Sequence, residues 1–95
     1  MKYKTYLFRF LIFPDGMRPS GEVYIKAQNQ SETTMNDDQV RDAARTVAAE
    51  HIDVMKPLTA NPGTLIKTAS EEAPTTYFRH EHYPGMVVWE SNEKS

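Results

Sequence analysis

The chain has 95 residues, no cysteine, 39% hydrophobic residues and a formal net charge of −2. A length of this order is one domain with a modest core, which excludes a catalytic cleft between domains. The lack of cysteine excludes disulfides and thiolate metal sites and fits a reducing, cytoplasmic setting.

Lys2 to Phe13, KYKTYLFRFLIF, is rich in aromatic and β-branched residues and reads as a central strand. Lys2 and Lys4 before an apolar run resemble a signal peptide, but Arg9 interrupts the run and no small-residue cleavage site follows. Tyr6, Phe8, Phe10 and Ile12 fall on one face, and Leu7, Arg9 and Leu11 on the other. Pro14-Asp15-Gly16 is a turn, because proline presets φ at its second position and glycine follows. Met17 to Gly21 prolongs it into a protruding loop with Arg18 at its tip. Glu22 to Gln28 then alternates, with Val23, Ile25 and Ala27 on one side and Tyr24 and Lys26 on the other, and should pair with the first strand as a hairpin.

Met35 to Met55 carries a helix over 36–55. Asn36 is its N-cap, Gln39 completes a capping box, and Met35 with Val40 can form a hydrophobic staple. Asp37 and Asp38 suit the positive end of the helix dipole. Val40, Ala43, Ala44, Val47, Ala48 and Met55 share an apolar face narrow enough to lie close to a flat surface, and helical spacing puts His51 on it too. Asp38, Asp42, Arg45, Thr46, Ala49 and Asp53 lie opposite. Pro57 is expected to end the helix by disfavouring αR at Lys56.

Thr64 to Ala69 is a third strand, Thr75 to Tyr83 a fourth, Pro84-Gly85 a tight turn and Met86 to Glu90 a fifth strand. The expected fold is a single α+β domain over 1–90, in the order β-β-α-β-β-β, with a polar tail at 91–95. One helix packs on one face of an antiparallel sheet. The expected sheet order is second, first, third, fourth, fifth strand. No stretch is long enough to span a membrane.

Charge is segregated along the chain. Residues 1–28 carry five cations and two anions, residues 29–58 three cations and six anions, and residues 59–95 three cations and five anions. The hairpin is basic, while the helix and tail are acidic. Such a molecule can be steered towards a charged partner, although a general nucleic-acid binder is usually more basic.

His80-Glu81-His82 places two imidazoles on one side of a strand, and a metal joining them to His51 would bridge sheet and helix. The alternative is that His51 interacts with the helix C-terminus and that His80 and His82 are ordinary strand residues, and no metal or other cofactor is expected. No nucleophile elbow, ordered triad or glycine-rich phosphate loop is present, so no enzyme activity is expected. Arg41 and Arg45 are neutralised locally by Asp38 and Asp42 on a solvated helix face.

The sheet face opposite the helix mixes Leu7, Arg9, Tyr24 and Lys26, with Tyr77 and Arg79 able to join it. Tyr and Arg are the types most often found as binding hot spots, and the same mixture can stack single-stranded bases. It is equally what an amphipathic outer face looks like when long basic stems cover apolar groups.

The short cysteine-free chain, its mild acidity, the β-β-α-β-β-β order, the loop at Pro14 to Gly21 and the opening stretch YLFRFLIFPDGMRPSG together resemble the small phage-encoded anti-CRISPR proteins, particularly those acting on type I effector complexes. The resemblance lies in size and architecture over the whole chain. It implies inhibition by binding a bacterial protein or ribonucleoprotein complex, in the host cytoplasm and away from membrane. The charge segregation and the Tyr/Arg sheet face, not the resemblance, make Arg9, Arg18, Tyr24, Lys26 and Arg79 the expected contact residues. Nucleic acid would be touched directly only in the alternative reading, a small nucleic-acid-binding protein using the aromatic and basic sheet face.

Overall fold

The structure is a computed structural model that describes residues 3–14, 17–30, 35–52, 58, 62–71, 78–80 and 83–92. Among them, strand β1 (Tyr3–Ile12) and strand β2 (Gly21–Gln30) precede helix α1 (Asp37–His51), and β3 (Thr64–Glu71), β4 (Phe78–His80) and β5 (Tyr83–Ser91) follow. All pairings are antiparallel, so the chain is an α+β fold with one helix on one face of the sheet.

The expected strand order needs correction. The sheet runs β3-β1-β2-β5-β4, so β5 pairs with β2 and β3 does not pair with β4. The two long apolar strands thereby become interior. The edges are left to a strand carrying exposed Lys67 and a strand of three residues. Short and charged edges resist pairing with other chains, whereas the expected order would have left β2 open along its length.

Alternation of side chains builds the core. Tyr6, Phe8 and Phe10 from β1 and Val23, Ile25 and Ala27 from β2 point towards Val40, Ala43, Ala44, Val47 and Ala48 of α1, and Leu58 and Val88 complete the cluster. Tyr6 and Phe8 stack at 5.6 Å between ring centroids, and Phe8 and Phe10 lie tilted at 6.3 Å. Each fully buried large apolar side chain contributes roughly 1.5–3 kcal/mol. Three alanines on the buried helix face let α1 lie close over β2, β5 and β4.

The start of α1 is set as its sequence predicts. Asn36 Oδ1 accepts from the Gln39 backbone N–H and Gln39 Oε1 accepts from the Asn36 backbone N–H, both at 2.9 Å. Met35 packs against the cluster that holds Val40. Lys4 reaches from β1 to Asp37 at 3.3 Å while lying over the Tyr6 ring, which ties the sheet to the helix N-terminus. Arg41 sits between Asp38 at 3.6 Å and Asp42 at 3.2 Å.

The helix ends at His51, short of the expected residue 55 and before Pro57 acts. Ile52 leaves the helix with φ −121° and ψ 110°, its N–H bonded to the Ala48 carbonyl, and its side chain packs against the core. Seating an apolar residue there ends the helix earlier than the proline would. His51, expected on the apolar face, is exposed at the last helical position, and Ala49, expected to lie opposite the core, is half-buried against it. Asp53, Met55, Lys56 and Pro57 lie outside the described residues.

Two further expectations change. Pro84 and Gly85 belong to β5, because His80 already pairs with Tyr83 and the chain has reversed before the proline. The pairing of β5 with β2 begins at Met86, so Pro84 removes no hydrogen bond from that ladder. Ser91, expected to open the polar tail, is the last residue of β5. In β3, the register shifts between Leu7 and Phe8: Lys67 faces Leu7 but Leu65 faces Phe8. The extra residue, Ile66, is a bulge that turns Leu65 towards the core.

Candidate partner-binding surfaces

The hairpin end is the first surface. Ten-residue strands rise about 33 Å, against about 22 Å for a fifteen-residue helix, so the helix alone cannot cover the hairpin along its whole length. Ile12 pairs with Gly21, and the Ser20 N–H closes the loop on the Ile12 carbonyl at 2.8 Å. Beyond this clasp Pro14, Met17, Arg18 and Pro19 are exposed. Met17 is 83% exposed, the outstanding exposed large hydrophobic side chain among the described residues. Two prolines limit the backbone freedom of the loop, which lowers the entropy lost on docking.

The second surface is the sheet face turned away from α1. Register settles which residues meet there. Arg9 is directly opposite Tyr24, and Lys26 follows on the same face opposite Leu7. Arg18 stands apart at the hairpin end. Arg79 lies across from Val87, in the backbone row that continues through Gln28 and Thr5, two strands from β2. Tyr77 lies outside the described residues. Arg9, Tyr24 and Lys26 therefore form one patch, and Arg18 belongs to another surface.

Leu7 was expected to be presented on this face, and it is instead 1% exposed. It stands between Lys26 and Lys67 in its cross-strand row, where long basic stems can cover it. Gln28 and Thr5 are buried on the same face and satisfy each other, Gln28 Nε2 donating to Thr5 Oγ1 at 3.2 Å. The open part of the face is the half that holds Arg9, Tyr24 and Lys26, all of intermediate exposure.

Glu22 organises that half. Its carboxylate accepts from the Tyr24 hydroxyl at 2.9 Å and lies 3.8 Å from the Arg9 guanidinium. The hydrogen bond to Glu22 holds the Tyr24 phenol above its usual pKa. Arg9 Nε is closed off from solvent with no hydrogen-bond partner, although the guanidinium tip remains open. A shallow groove of about 220 Å³ runs beside them, lined by Glu22, Tyr24, Glu90, Ser91 and Asn92.

Sequence reading missed two members of this face. Lys67 and Trp89 fall in one row with Leu7 and Lys26, Lys67 exposed and Trp89 half-buried. Either could be assigned only with the pairings β3 to β1 and β5 to β2 in hand.

For a metal, no group of three His, Asp or Glu side chains gathers among the described residues. His51 ends α1, His80 ends β4 and His82 lies outside the described residues. No helix among the described residues is long and apolar enough to cross a membrane. No protein-family model, curated protein or solved structure matches the chain.

Proposed function

We propose that the protein is a non-enzymatic inhibitor that binds a bacterial ribonucleoprotein complex, in the form its likeness to the anti-CRISPR proteins implies. It would occupy a surface of an RNA-guided surveillance complex in the host cytoplasm and stop target DNA from hybridising or docking. The observation that supports this reading most is the hairpin end, where a clasped, proline-bounded loop carries exposed Met17 beside exposed Arg18. An exposed apolar side chain beside a cation can enter a partner's groove, and a buried anchor of this kind can dominate an interface. Arg9, Tyr24, Lys26 and Arg79 are the further contacts. The acidic residues of α1 face oppositely charged parts of the complex.

The test is affinity capture from a bacterial lysate with active type I immunity, with plaque assays beside it. The full chain should retain the complex and protect a targeted phage. Arg18→Glu with Met17→Asp should abolish both and leave the melting temperature unchanged. Capture and protection that survive this double change would sink the assignment to the hairpin end. Absence of both for the parent chain, across immunity subtypes, would sink the function.

A further inference from the structure

The open half of the outer sheet face sorts its side chains by chemistry. One cross-strand row runs Lys67, Leu7, Lys26, Trp89, and the next runs Thr64, Arg9, Tyr24, Ser91. The cations stand on β3, β1 and β2, and the aromatic rings on β2 and β5. Adjacent strands are about 4.8 Å apart, so Lys67 and Lys26, two strands apart, are separated by about 10 Å at their Cα atoms, with Arg9 beside both on the strand between. A cationic track flanked by aromatic platforms is how single-stranded nucleic acid is held without sequence preference: phosphates follow the charges and bases stack on the rings. The helix on the opposite side sets exposed Asp37, Asp38, Asp42 and Glu50 against Arg41 and Arg45, whereas the open half sets Lys67, Arg9 and Lys26 against Glu22. The balance is acidic on one side and basic on the other, so a polyanion is steered to the sheet face.

We propose that this face binds a single strand of nucleic acid, with Lys67, Arg9 and Lys26 contacting phosphates and Trp89 stacking a base. The proposal rests on the reading that the target is a ribonucleoprotein, and names its nucleic-acid component as what this face meets. Tyr24 is the second platform, oriented by its hydrogen bond to Glu22.

Trp89 is the only tryptophan in the chain, so its emission reports on this face alone. The experiment titrates the full-length protein with short oligothymidylate and oligouridylate and follows that emission. Saturable quenching is expected, and three phosphate contacts predict affinity falling about twentyfold between about 50 mM and about 200 mM salt. Lys26→Glu with Lys67→Glu should remove the quenching while the far-ultraviolet circular dichroism is retained. If that variant misfolds, Lys26→Gln with Lys67→Gln should still weaken binding and flatten the salt dependence. No quenching at low salt overturns the proposal, as does equal quenching by polyglutamate, which would make the face a site for acidic protein. Complex capture that persists without oligonucleotide binding refutes this proposal alone. Oligonucleotide binding without capture refutes the inhibitor reading alone.

Discussion

Gly63 lies against the ring of Phe10 so closely that a Cβ at position 63 would stand 2.4 Å from Phe10 Cε1. Its φ of +76° belongs to the left-handed region that side-chain-bearing residues avoid. Phe10 is fully buried in the core, so the ring cannot swing away cheaply. Gly63→Ala therefore combines backbone strain with overpacking, and should cost about 2–4 kcal/mol. Urea unfolding measures this directly, and a loss under about 0.5 kcal/mol would mean the approach to Phe10 is not as close as described.

Leu58 is the core residue that sequence pattern hides. It lies between helix and third strand, outside any periodic pattern, and is fully buried in the cluster with Phe8 and Val47. Leu58→Ala should cost about 2–5 kcal/mol, against under about 0.5 kcal/mol for a control change at exposed Thr46. Equal midpoints for the two variants would show that 58 is not part of the core.

What could be read from the chain was local or periodic. The Asn36 and Gln39 box is a four-residue pattern, and its two hydrogen bonds form as written. Alternation in β1 and β2 divided Phe8, Phe10, Val23 and Ile25 from Arg9, Tyr24 and Lys26 correctly. What could not be read depends on contacts distant in sequence. The expected order left β2 at the sheet edge, and its pairing with β5 joins segments far apart in the chain. The bulge at Ile66 exists only relative to β1, and the early stop of α1 depends on a core site for Ile52. The candidate surfaces divide the same way. Arg9, Tyr24 and Lys26 were visible within one hairpin, whereas Lys67 and Trp89 needed the register of two further strands.

The link between β1 and the start of α1 predicts an alkaline limit to stability. Burial, chiefly, holds the Tyr6 phenol above its ordinary 10.0, since the phenolate would be desolvated. The hydrogen bond to Asp37, chiefly, holds Lys4 above its ordinary 10.5. Both groups bind their proton more tightly folded than unfolded. Their contribution is fully present below the unfolded pKa and is lost as pH rises through the folded one. Lys4 is half-exposed and screened, so Tyr6 should dominate. The urea midpoint should hold level to about pH 9.5 and fall beyond it. Tyr6→Phe should make that fall shallower, and an unchanged slope would remove Tyr6 as its cause.

Glu22 opposes the nucleic-acid contact proposed for the outer face, because its carboxylate lies 3.8 Å from the Arg9 guanidinium and holds the Tyr24 hydroxyl. A phosphate reaching Arg9 has to compete with a carboxylate already in place. Glu22→Gln keeps the size of the side chain and a hydrogen-bonding oxygen for Tyr24 while removing the charge. The pair is half-exposed, so its loss should cost little stability, under about 1 kcal/mol. Oligonucleotide affinity should rise about two- to fivefold at low salt, with the gain shrinking as salt screens the charges. The Tyr24 phenol, raised mainly by its hydrogen bond to Glu22, should titrate closer to its ordinary 10.0 in the variant. If Glu22→Gln lowers the Tyr24 pKa but leaves oligonucleotide affinity unchanged, the local geometry stands and Arg9 is not a phosphate contact. If affinity falls, the carboxylate is a necessary orienting group for Tyr24 and not a competitor.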